Sequence, residues 1–403
     1  PASPTGGKSP TEISFIMTHA IFKDQLVVEL ANVLAGPSVG MFLAECGARV
    51  IKVENIRTKG DVTRSWKLPD EDLDTDISAY FTSVNWGKES IGLDLKKQAA
   101  RDVLYRLVAK ADIVLSSYLP GQAEKLGVDT ETLLDKNPGL LIGQINGYGP
   151  DQSRPAYDAI IQAEAGFTYM NGHPGQQSKM PVALMDVLAA HQLKQGLLLA
   201  YIERLQTGKG KVVTVSLMES AISGLVNQAT NWLQVGHIPQ PQGSEHPNIV
   251  PYGTVYTTAD KLPLVLAVGN DKQFRALLTV LGLALPAHFT TNPLRVQHRA
   301  AVNQYLQEGI SKWKRLDLLT KLMEVKVPSG AVHQMPEVMA LSQAQNIRLE
   351  RDDVKGLLQG VFHSNIPPIT PPPHVGEHTE EVMKFLAYEP LYIQELKDRE
   401  IVM

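Results

Sequence analysis

The chain contains one cysteine and carries no strong excess of charge. The single Cys46 excludes an intramolecular disulfide and a multi-cysteine metal site, and such low cysteine usage is typical of a reducing compartment. A formal net charge of -4 provides no basic field of the kind that attracts nucleic acid or anionic lipid. We therefore expect small-molecule ligands, with no nucleic-acid or membrane partner, and we interpret Cys46 as a buried, inert thiol.

Long apolar runs are also absent. No stretch reaches membrane-spanning length, and the N-terminus lacks the charged-then-apolar order of a secretory signal, so we predict a cytoplasmic protein. Residues 1–16 are rich in Pro, Gly, Ser and Thr, contain no Arg and precede Met17. We interpret them as a disordered extension, either native or left over from expression.

Sequence motifs for dinucleotides, phosphates and metals are missing or incomplete. The first βα turn, residues 35–40, has no GxGxxG, and the string TGKGK at 207–211 lacks the GxxxxGK[ST] frame, so we interpret TGKGK as a hairpin turn. An HxxEH string begins at His374, but it follows three prolines and contains Gly376, which disfavours the continuous helix that such a zinc site needs. We predict a surface turn leading into a helix at Thr379 and no metal. A nicotinamide dehydrogenase and a metalloprotease are therefore both disfavoured.

What the sequence does contain is a regular alternation of short β-rich runs and amphipathic helical stretches. The strands predicted before residue 220 are Leu26 to Leu30, Arg49 to Glu54, Ile91 to Leu95, Asp112 to Ser116, Leu140 to Ile145 and Val212 to Leu217. Helices are predicted from Pro37, over Gln98 to Ala111, and from near Asp186 to Gln206. This order predicts right-handed βαβ units and an α/β, doubly wound, mostly parallel, Rossmann-like sheet.

A stretch rich in Pro, Gly and His at 236–251 marks a boundary in this pattern. Beyond it, a strand at 264–268, a helix from about Lys272 and helices through 300–325 predict a smaller α+β domain. The segment 359–376 is rich in proline, which predicts an extended linker or surface crossing.

Eight strings, in order along the chain, resemble the third family of CoA transferases, the CaiB/BaiF type that includes formyl-CoA transferase. They are VELANVLAGP (28–37), GARVIKVE (47–54), GDVTRSW (60–66), NWGKESIGLDL (85–95), YLPGQAEKLGV (118–128), INGYGP (145–150), RPAYDAIIQAEAG (154–166) and TGKGKVVTVSLMESA (207–221), and Asp186 lies between the last two. The resemblance implies an interlocked homodimer. It also implies a large CoA-binding domain over 17–222, a small domain over 223–344, and a C-terminal segment, 345–403, that returns to the large domain.

The resemblance implies that Asp186, before the long helix, is the catalytic nucleophile. A carboxylate is ionised at neutral pH and can attack a thioester carbonyl directly, so the reaction needs no resident cofactor and no metal. The coenzyme A thioester is a substrate. The alternative interpretation of Asp186 is a helix N-cap, a position where aspartate is common, and the two roles are compatible.

The resemblance also implies a set of residues that bind CoA and the acyl group. Those at the pantetheine and nucleotide are Asn32, Val33, Leu34, Ala35, Asn55, Leu93, Ser117, Tyr118 and Lys125, and those near the acyl group are Asn146 and Tyr148. We expect one or two of the basic group Lys52, Arg57, Lys59 and Arg64 to bind the CoA phosphates. Asn55, Ser117 and the run 187–192 depart from common family residues, which leaves the phosphate contacts and the acyl pocket least defined.

Three further residues bear on the pocket and on rival functions. Gly269, in LAVGN, is a candidate part of a cover that excludes water from the intermediates. His191, five residues into the helix, could face the pocket or pack in the core, and packing is favoured. A racemase of α-methylacyl-CoA esters resembles this family in fold but uses a histidine base, where this chain has Tyr157, a far weaker base at neutral pH. A non-catalytic CoA-binding subunit is the other alternative. The string HPNIVPY is most similar to members that use succinyl-CoA, which implies a succinyl donor.

Overall fold

The computed structural model describes residues 21–360 and 368–403. The predicted extension at 1–16 and residues 361–367 of the predicted proline-rich segment lie outside the described residues. Within the described ranges, no helix is both long and apolar enough to cross a membrane.

The described strands and helices alternate as the sequence pattern predicts. The strands are β1 Leu26–Leu30, β2 Arg49–Asn55, β3 Lys88–Leu93, β4 Ile113–Ser116, β5 Leu141–Asn146, β6 Gly172–His173, β7 Gln176–Gln177, β8 Lys211–Ser216, β9 Tyr252–Thr257, β10 Pro263–Ala267, β11 Ser329–Ala331, β12 Arg348–Arg351 and β13 Val354–Leu357. The helices are α1 Ala35–Glu45, α2 Ala79–Thr82, α3 Gln98–Val108, α4 Gln122–Leu126, α5 Thr130–Lys136, α6 Asp158–Glu164, α7 Phe167–Met170, α8 Leu184–Thr207, α9 Leu217–Gly224, α10 Asn227–Val235, α11 Asp271–Leu281, α12 Asn292–Gln297, α13 Arg299–Ile310, α14 Arg315–Glu324, α15 Met335–Met339, α16 Ser342–Gln345, α17 Thr379–Phe385 and α18 Pro390–Asp398.

Six strands form one sheet in the order β3-β2-β1-β4-β5-β8, and every neighbouring pair is parallel. This confirms the predicted α/β class with a parallel sheet. β1 is buried along its whole length, which explains why it reads as a nearly continuous apolar run. β3 starts at Lys88, three residues before the predicted strand, because the Lys88 side chain is itself buried in a charge cluster and does not mark a surface position.

Two compact units divide the described chain. The first unit comprises residues up to Ala156, Met185–Ser220 and Asn346–Met403, and the second comprises Tyr157–Leu184 and Ala221–Gln345. The second unit thus takes in residues 157–184, which the sequence had grouped with the large domain. Its core gathers apolar side chains from β9, β10, α11, α13 and α14 around a three-stranded sheet in the order β11-β10-β9.

The C-terminal segment is attached to the outer edge of β3 in the first unit. The Met403 amide donates to the Gly92 carbonyl (3.2 Å), and Leu93 forms an antiparallel bridge with Val402. Side chains of α17 and α18 pack into the same apolar core as α3 and the sheet. This edge strand is therefore covered by the end of the chain.

Two motif interpretations have clear outcomes. The HxxEH string forms a turn before α17, as the sequence predicts. The TGKGK string is not a hairpin turn. It joins α8 to β8, which pairs in parallel with β5, so the turn returns the chain to the same edge of the sheet after a helix.

Candidate active site

A crevice for a ligand is expected where the strand order of a parallel sheet reverses. Here the chain runs from β1 outward to β2 and β3, and then returns to β4 on the other side of β1. The switch point therefore lies at the carboxyl ends of β1 and β4. Asn32 follows β1, Ser117 follows β4, and the Asn32 amide donates to the Ser117 hydroxyl (3.1 Å).

Most of the residues predicted to bind CoA lie at this edge of the sheet. Val33, Leu34 and Ala35 form the turn from β1 into α1, and Tyr118 follows Ser117 after β4. The Tyr118 ring packs on the core of the first unit, and burial raises the pKa of its phenol. A neutral aromatic side chain at this place is suited to stacking on a base.

Asn55 and Leu93 close the neighbouring strands at the same edge, where they are register partners of β2 and β3. The Asn55 side chain accepts from the Arg57 amide (3.0 Å), so it caps the short helical turn after β2. The Leu93 side chain is fully buried, which leaves only backbone atoms of this residue for any ligand. Lys125 is exposed on α4.

Two members of the predicted basic group are structural. The Lys52 side chain is fully buried, with its ammonium 3.0 Å from Glu29 and 3.0 Å from Asp61. Arg64 is 3% exposed and holds the buried Glu54 carboxylate through two hydrogen bonds of 2.9 and 2.6 Å. Because both cations are enclosed and paired, the two other members of the group are better placed to meet a phosphate.

The other two members of the basic group reach solvent. Arg57 is half exposed and pairs with Asp94 (3.0 Å), and Lys59 is exposed in a left-handed conformation with φ of 57°. Both line a cleft of about 660 Å³ that also contains Lys397 and His374. Arg57 and Lys59 are therefore the accessible members of the basic group and stay candidates for phosphate contacts.

The residues predicted near the acyl group form a tight turn after β5. The Asn146 side chain accepts from the Gly149 amide (2.7 Å), which folds the NGYG segment back on itself. The guanidinium carbon of Arg154 lies 4.5 Å from the centre of the Tyr148 ring, within cation–π distance. This stacking places a cation beside the aromatic ring.

Asp186 is the third residue of α8 and is only 8% exposed. The helix begins at Leu184, so Asp186 lies within its first turn. The alternative interpretation of Asp186 as the helix N-cap is therefore wrong. The positive end of the helix dipole nevertheless favours its ionised form. A buried carboxylate held at a helix start is a geometry suited to a nucleophile that must stay charged away from bulk water.

The remaining predicted pocket residues are all accessible or lie in the second unit. His191 is exposed on α8, so the expectation that it packs in the core is wrong. Tyr157 precedes α6 and is 56% exposed. Gly269 follows β10, and its amide donates to the Gln273 side chain (2.9 Å) at the start of α11.

A buried charge cluster beneath the β1 to α1 turn was missed by the sequence interpretation. It contains Glu29, Lys52, Asp61 and Lys88, each no more than 2% exposed. A signal was present, because Glu29 and Lys52 interrupt two otherwise apolar strands and are partners in the parallel register. Opposite charges at matched positions of two buried strands indicate an ion pair between them.

The strand order defines an α/β protein of the doubly wound type, a class in which ligands bind at the switch point. The sequence profile of CoA-transferase family III matches residues 22–379. The chain belongs to this family, whose substrates are CoA thioesters, and it is an enzyme of the CoA-transferase type.

Two relatives and one solved structure illustrate the similarity. The chain is 37% identical over 376 residues to a succinate–glutarate CoA-transferase from Agrobacterium fabrum, across 89% of this chain and 93% of the relative. It is 33% identical over 343 residues to an acetyl-CoA:oxalate CoA-transferase from Acetobacter aceti, across 83% of this chain and 86% of the relative. A CaiB/BaiF family protein from Brucella suis superposes with a TM-score of 0.81 at 35% identity, covering 91% of this chain and 99% of that chain.

Helix α8 also buries Lys194, eight residues after Asp186. The Lys194 ammonium lies 3.2 Å from the Ser38 hydroxyl, and burial lowers its pKa from 10.5 to about 8 against the opposing attraction of Glu45. The unfolded chain therefore binds more protons than the folded chain between about pH 8 and 10.5, so this lysine makes the free energy of unfolding rise with pH across that window. Below the window, the buried charge destabilises the folded state.

We expect Lys194→Met to raise the free energy of unfolding at pH 7 by about 1–3 kcal/mol, an advantage that fades as the pH approaches 10. Denaturant unfolding of both proteins at several pH values measures the difference. Lys209→Met, at an exposed lysine just after the same helix, is the control and should change little. A Lys194→Met protein that is less stable than the parent at pH 7 would contradict the expectation.

Proposed function

We propose that this enzyme transfers CoA from an acyl-CoA to a carboxylic acid through an aspartyl-CoA thioester on Asp186. The observation that carries the proposal is the position of Asp186, a nearly buried carboxylate in the first turn of α8, in a chain that belongs to CoA-transferase family III. An aspartate side chain is ionised at neutral pH, so it can act as a nucleophile without an activating base.

The first half of the reaction converts the donor thioester into an enzyme thioester. A carboxylate oxygen of Asp186 attacks the donor carbonyl, the carbon–sulfur bond breaks, and a mixed anhydride and the CoA thiolate are formed. The thiolate then attacks the aspartyl carbonyl of the anhydride and expels the donor as its free carboxylate. No net proton is taken up or released, because every species that arrives or leaves is an anion.

The second half runs the same steps in reverse with the acceptor. The acceptor carboxylate attacks the aspartyl thioester and releases the thiolate, which then attacks the acceptor carbonyl of the new anhydride and restores Asp186. Water would hydrolyse either intermediate, so the burial of Asp186 is functionally useful. Gly269 stays a candidate for a covering loop, and the switch-point residues Asn32, Val33, Ser117 and Tyr118 are proposed to bind the CoA moiety.

Succinyl-CoA is our proposed donor, with a short dicarboxylate such as glutarate as acceptor. The relative from Agrobacterium fabrum is named for succinate and glutarate, and the relative from Acetobacter aceti is named for acetyl-CoA and oxalate. Both names contain a dicarboxylate. The exposed Arg154 beside Tyr148 is the cation that we propose attracts the distal carboxylate.

Racemisation is less well supported by the same residues. Removal of an α-proton needs a positioned base, and Tyr157, at the place where the racemases have histidine, is an exposed phenol. A non-catalytic CoA-binding subunit would have no need for a carboxylate held at the start of α8. Transfer is therefore the function that the site favours.

An exchange assay tests the proposed reaction. Succinyl-CoA, acetyl-CoA and formyl-CoA are each incubated with a panel of mono- and dicarboxylic acids, and new CoA thioesters are identified by mass spectrometry. We expect dicarboxylate acceptors and succinyl-CoA to give the highest kcat/KM. A protein that exchanges CoA with no acid in the panel, while racemising a 2-methylacyl-CoA, would contradict the proposal.

We further propose that the enzyme acts as a homodimer. The solvent-facing side of α8 carries Leu198, Leu199, Ile202 and Leu205, of which Leu199 and Leu205 are each 69% exposed. Their spacing makes one apolar stripe on the helix, and contiguous apolar surface of this kind is typical of a subunit interface.

Sedimentation or light scattering is expected to give twice the 44.2 kDa chain mass for the parent protein. The paired change Leu199→Glu and Ile202→Glu should shift the protein toward the monomer, because two carboxylates would be buried in the interface. Gln192→Glu, at an exposed position on the same helix, is the control. A parent that is monomeric across the accessible concentration range would exclude the homodimer.

A further inference from the structure

The turn between β1 and α1 contains a strained residue. Val33 has a φ of 72°, in the left-handed region where a β-branched side chain is rarely found. Glycine adopts this conformation without steric cost, whereas valine needs support from the surrounding structure. Val33 lies at the switch point, two residues before α1 begins at Ala35.

Asp61 binds the strained residue directly. The Val33 amide donates to the two carboxylate oxygens of Asp61 at 3.2 and 3.4 Å. Asp61 is 2% exposed, and its carboxylate also accepts from the Thr63 amide (3.0 Å) and hydroxyl (2.8 Å). The acceptor for the Val33 amide is therefore fixed from a second side.

Lys52 joins Asp61 to the other end of the same turn. Its ammonium donates to the Ala31 carbonyl at 2.8 Å and lies 3.0 Å from the Asp61 carboxylate. The Asn32 amide donates to the Ser117 hydroxyl. The Ala31 carbonyl, the Asn32 amide and the Val33 amide are therefore each hydrogen-bonded to a side chain. Those side chains come from β2, from the segment after β2 and from the residue that follows β4.

The surroundings leave this arrangement little room to relax. Glu29 lies between the ammonium groups of Lys52 and Lys88, at 3.0 and 2.8 Å. A Cβ on Gly40 of α1 would lie 1.9 Å from the Glu29 carboxylate, so α1 packs directly on the charge cluster. A Cβ on Gly36 would lie 2.3 Å from that of Ala31, which shows how closely the start of α1 approaches the end of β1.

We propose that Asp61 and Lys52 are positioning residues, which hold Val33 in its left-handed conformation and thereby set the backbone turn that receives the CoA thioester. The proposal rests on the proposed function, because that function supplies the ligand of this turn. Neither side chain is proposed to touch substrate, since both are buried. Without them, Val33 would relax toward negative φ and rotate the peptide groups on either side of it.

Loss of Asp61 should weaken binding more than chemistry, because the nucleophile is on a different element. We expect Asp61→Ala to raise the KM for acyl-CoA at least tenfold with kcat within about threefold of the parent. Asp61→Asn keeps the size of the side chain and serves as the second variant if the alanine protein does not fold.

Rescue by glycine separates this role from a general contribution to stability. In the double variant Val33→Gly with Asp61→Ala, glycine reaches positive φ unaided, so KM should return to within about threefold of the Val33→Gly protein alone. Lys261→Gly is the matched control, since Lys261 also has a positive φ (63°) but lies in the second unit. Combined with Asp61→Ala, it should leave KM elevated.

Amide hydrogen exchange of residues 31–34 gives a readout that does not depend on substrate. Faster exchange there in Asp61→Ala, together with glycine rescue of KM, is the expected result. An unchanged KM in a folded Asp61→Ala protein, unchanged exchange at 31–34, or a KM that glycine does not restore would overturn the proposal. A parent protein that neither binds acyl-CoA nor transfers its CoA to an acid would contradict the proposed function instead. Amide hydrogen exchange at residues 31–34 would still decide whether Asp61 holds the turn.

Discussion

Asp186→Ala is expected to lower kcat for CoA exchange by roughly a thousandfold or more, because it removes the atom that forms the covalent intermediate. The measurement is steady-state exchange between succinyl-CoA and a dicarboxylate, with acyl-CoA binding followed separately by calorimetry. Since Asp186 is within a helix of 24 residues and not at its cap, alanine should be tolerated by the fold. We therefore expect binding to persist while turnover is lost.

Trapping of the intermediate identifies the residue directly. Hydroxylamine added during turnover should convert the aspartyl thioester into a hydroxamate, found by mass spectrometry on the peptide that contains Asp186. Asp129→Ala is a suitable control, because Asp129 is an aspartate at the start of another helix in the first unit, where its side chain accepts from the Thr132 amide (2.9 Å). Near-parental activity in Asp186→Ala, or a hydroxamate on a different carboxylate, would refute the covalent mechanism.

The sequence predicted the sheet better than it predicted the side chains that support the site. Five of the six parallel strands were expected within about one residue of their observed bounds, because strands that are buried on both faces read as apolar runs between turns. The sixth, β3, was shifted because it opens with Lys88, and a lysine is normally an exposed residue. The start of α8 was expected near Asp186 and lies two residues earlier.

Polar residues were harder to place, because their roles depend on partners that are distant in sequence. Lys52 and Arg64 were grouped with Arg57 and Lys59 as candidates for the CoA phosphates, but their partners, Glu29 and Glu54, are brought to them by the parallel register and the turn after β2. The strain at Val33 has no sequence signal of its own, since valine is a poor choice for positive φ. His191 was expected to pack, and the structure places it on the exposed side of α8.

Arg64→Leu provides the second large expected effect, a loss of about 3–5 kcal/mol in the free energy of unfolding. Arg64 is enclosed by the Glu54 carboxylate, the Pro373 carbonyl (3.0 Å) and the Phe81 ring, whose centre is 3.7 Å from the guanidinium carbon. Leucine would fill part of the volume but leave Glu54, which is 1% exposed, without its cation. Thermal and denaturant unfolding at one fixed protein concentration measure the loss.

A second substitution at Glu54 tests the physical cause of that loss. If an unpaired buried charge is responsible, Glu54→Gln in the Arg64→Leu background should recover part of the free energy of unfolding, because the glutamine amide is neutral. Its amide oxygen can still accept from the Ser90 hydroxyl, which in the parent protein lies 2.6 Å from the Glu54 carboxylate. Lys59→Leu, at an exposed cation five residues away, should change the free energy of unfolding by less than about 0.5 kcal/mol. An Arg64→Leu protein that unfolds like the parent but has lost affinity for CoA would instead assign Arg64 to the phosphates, because only a ligand contact would then account for the loss of affinity.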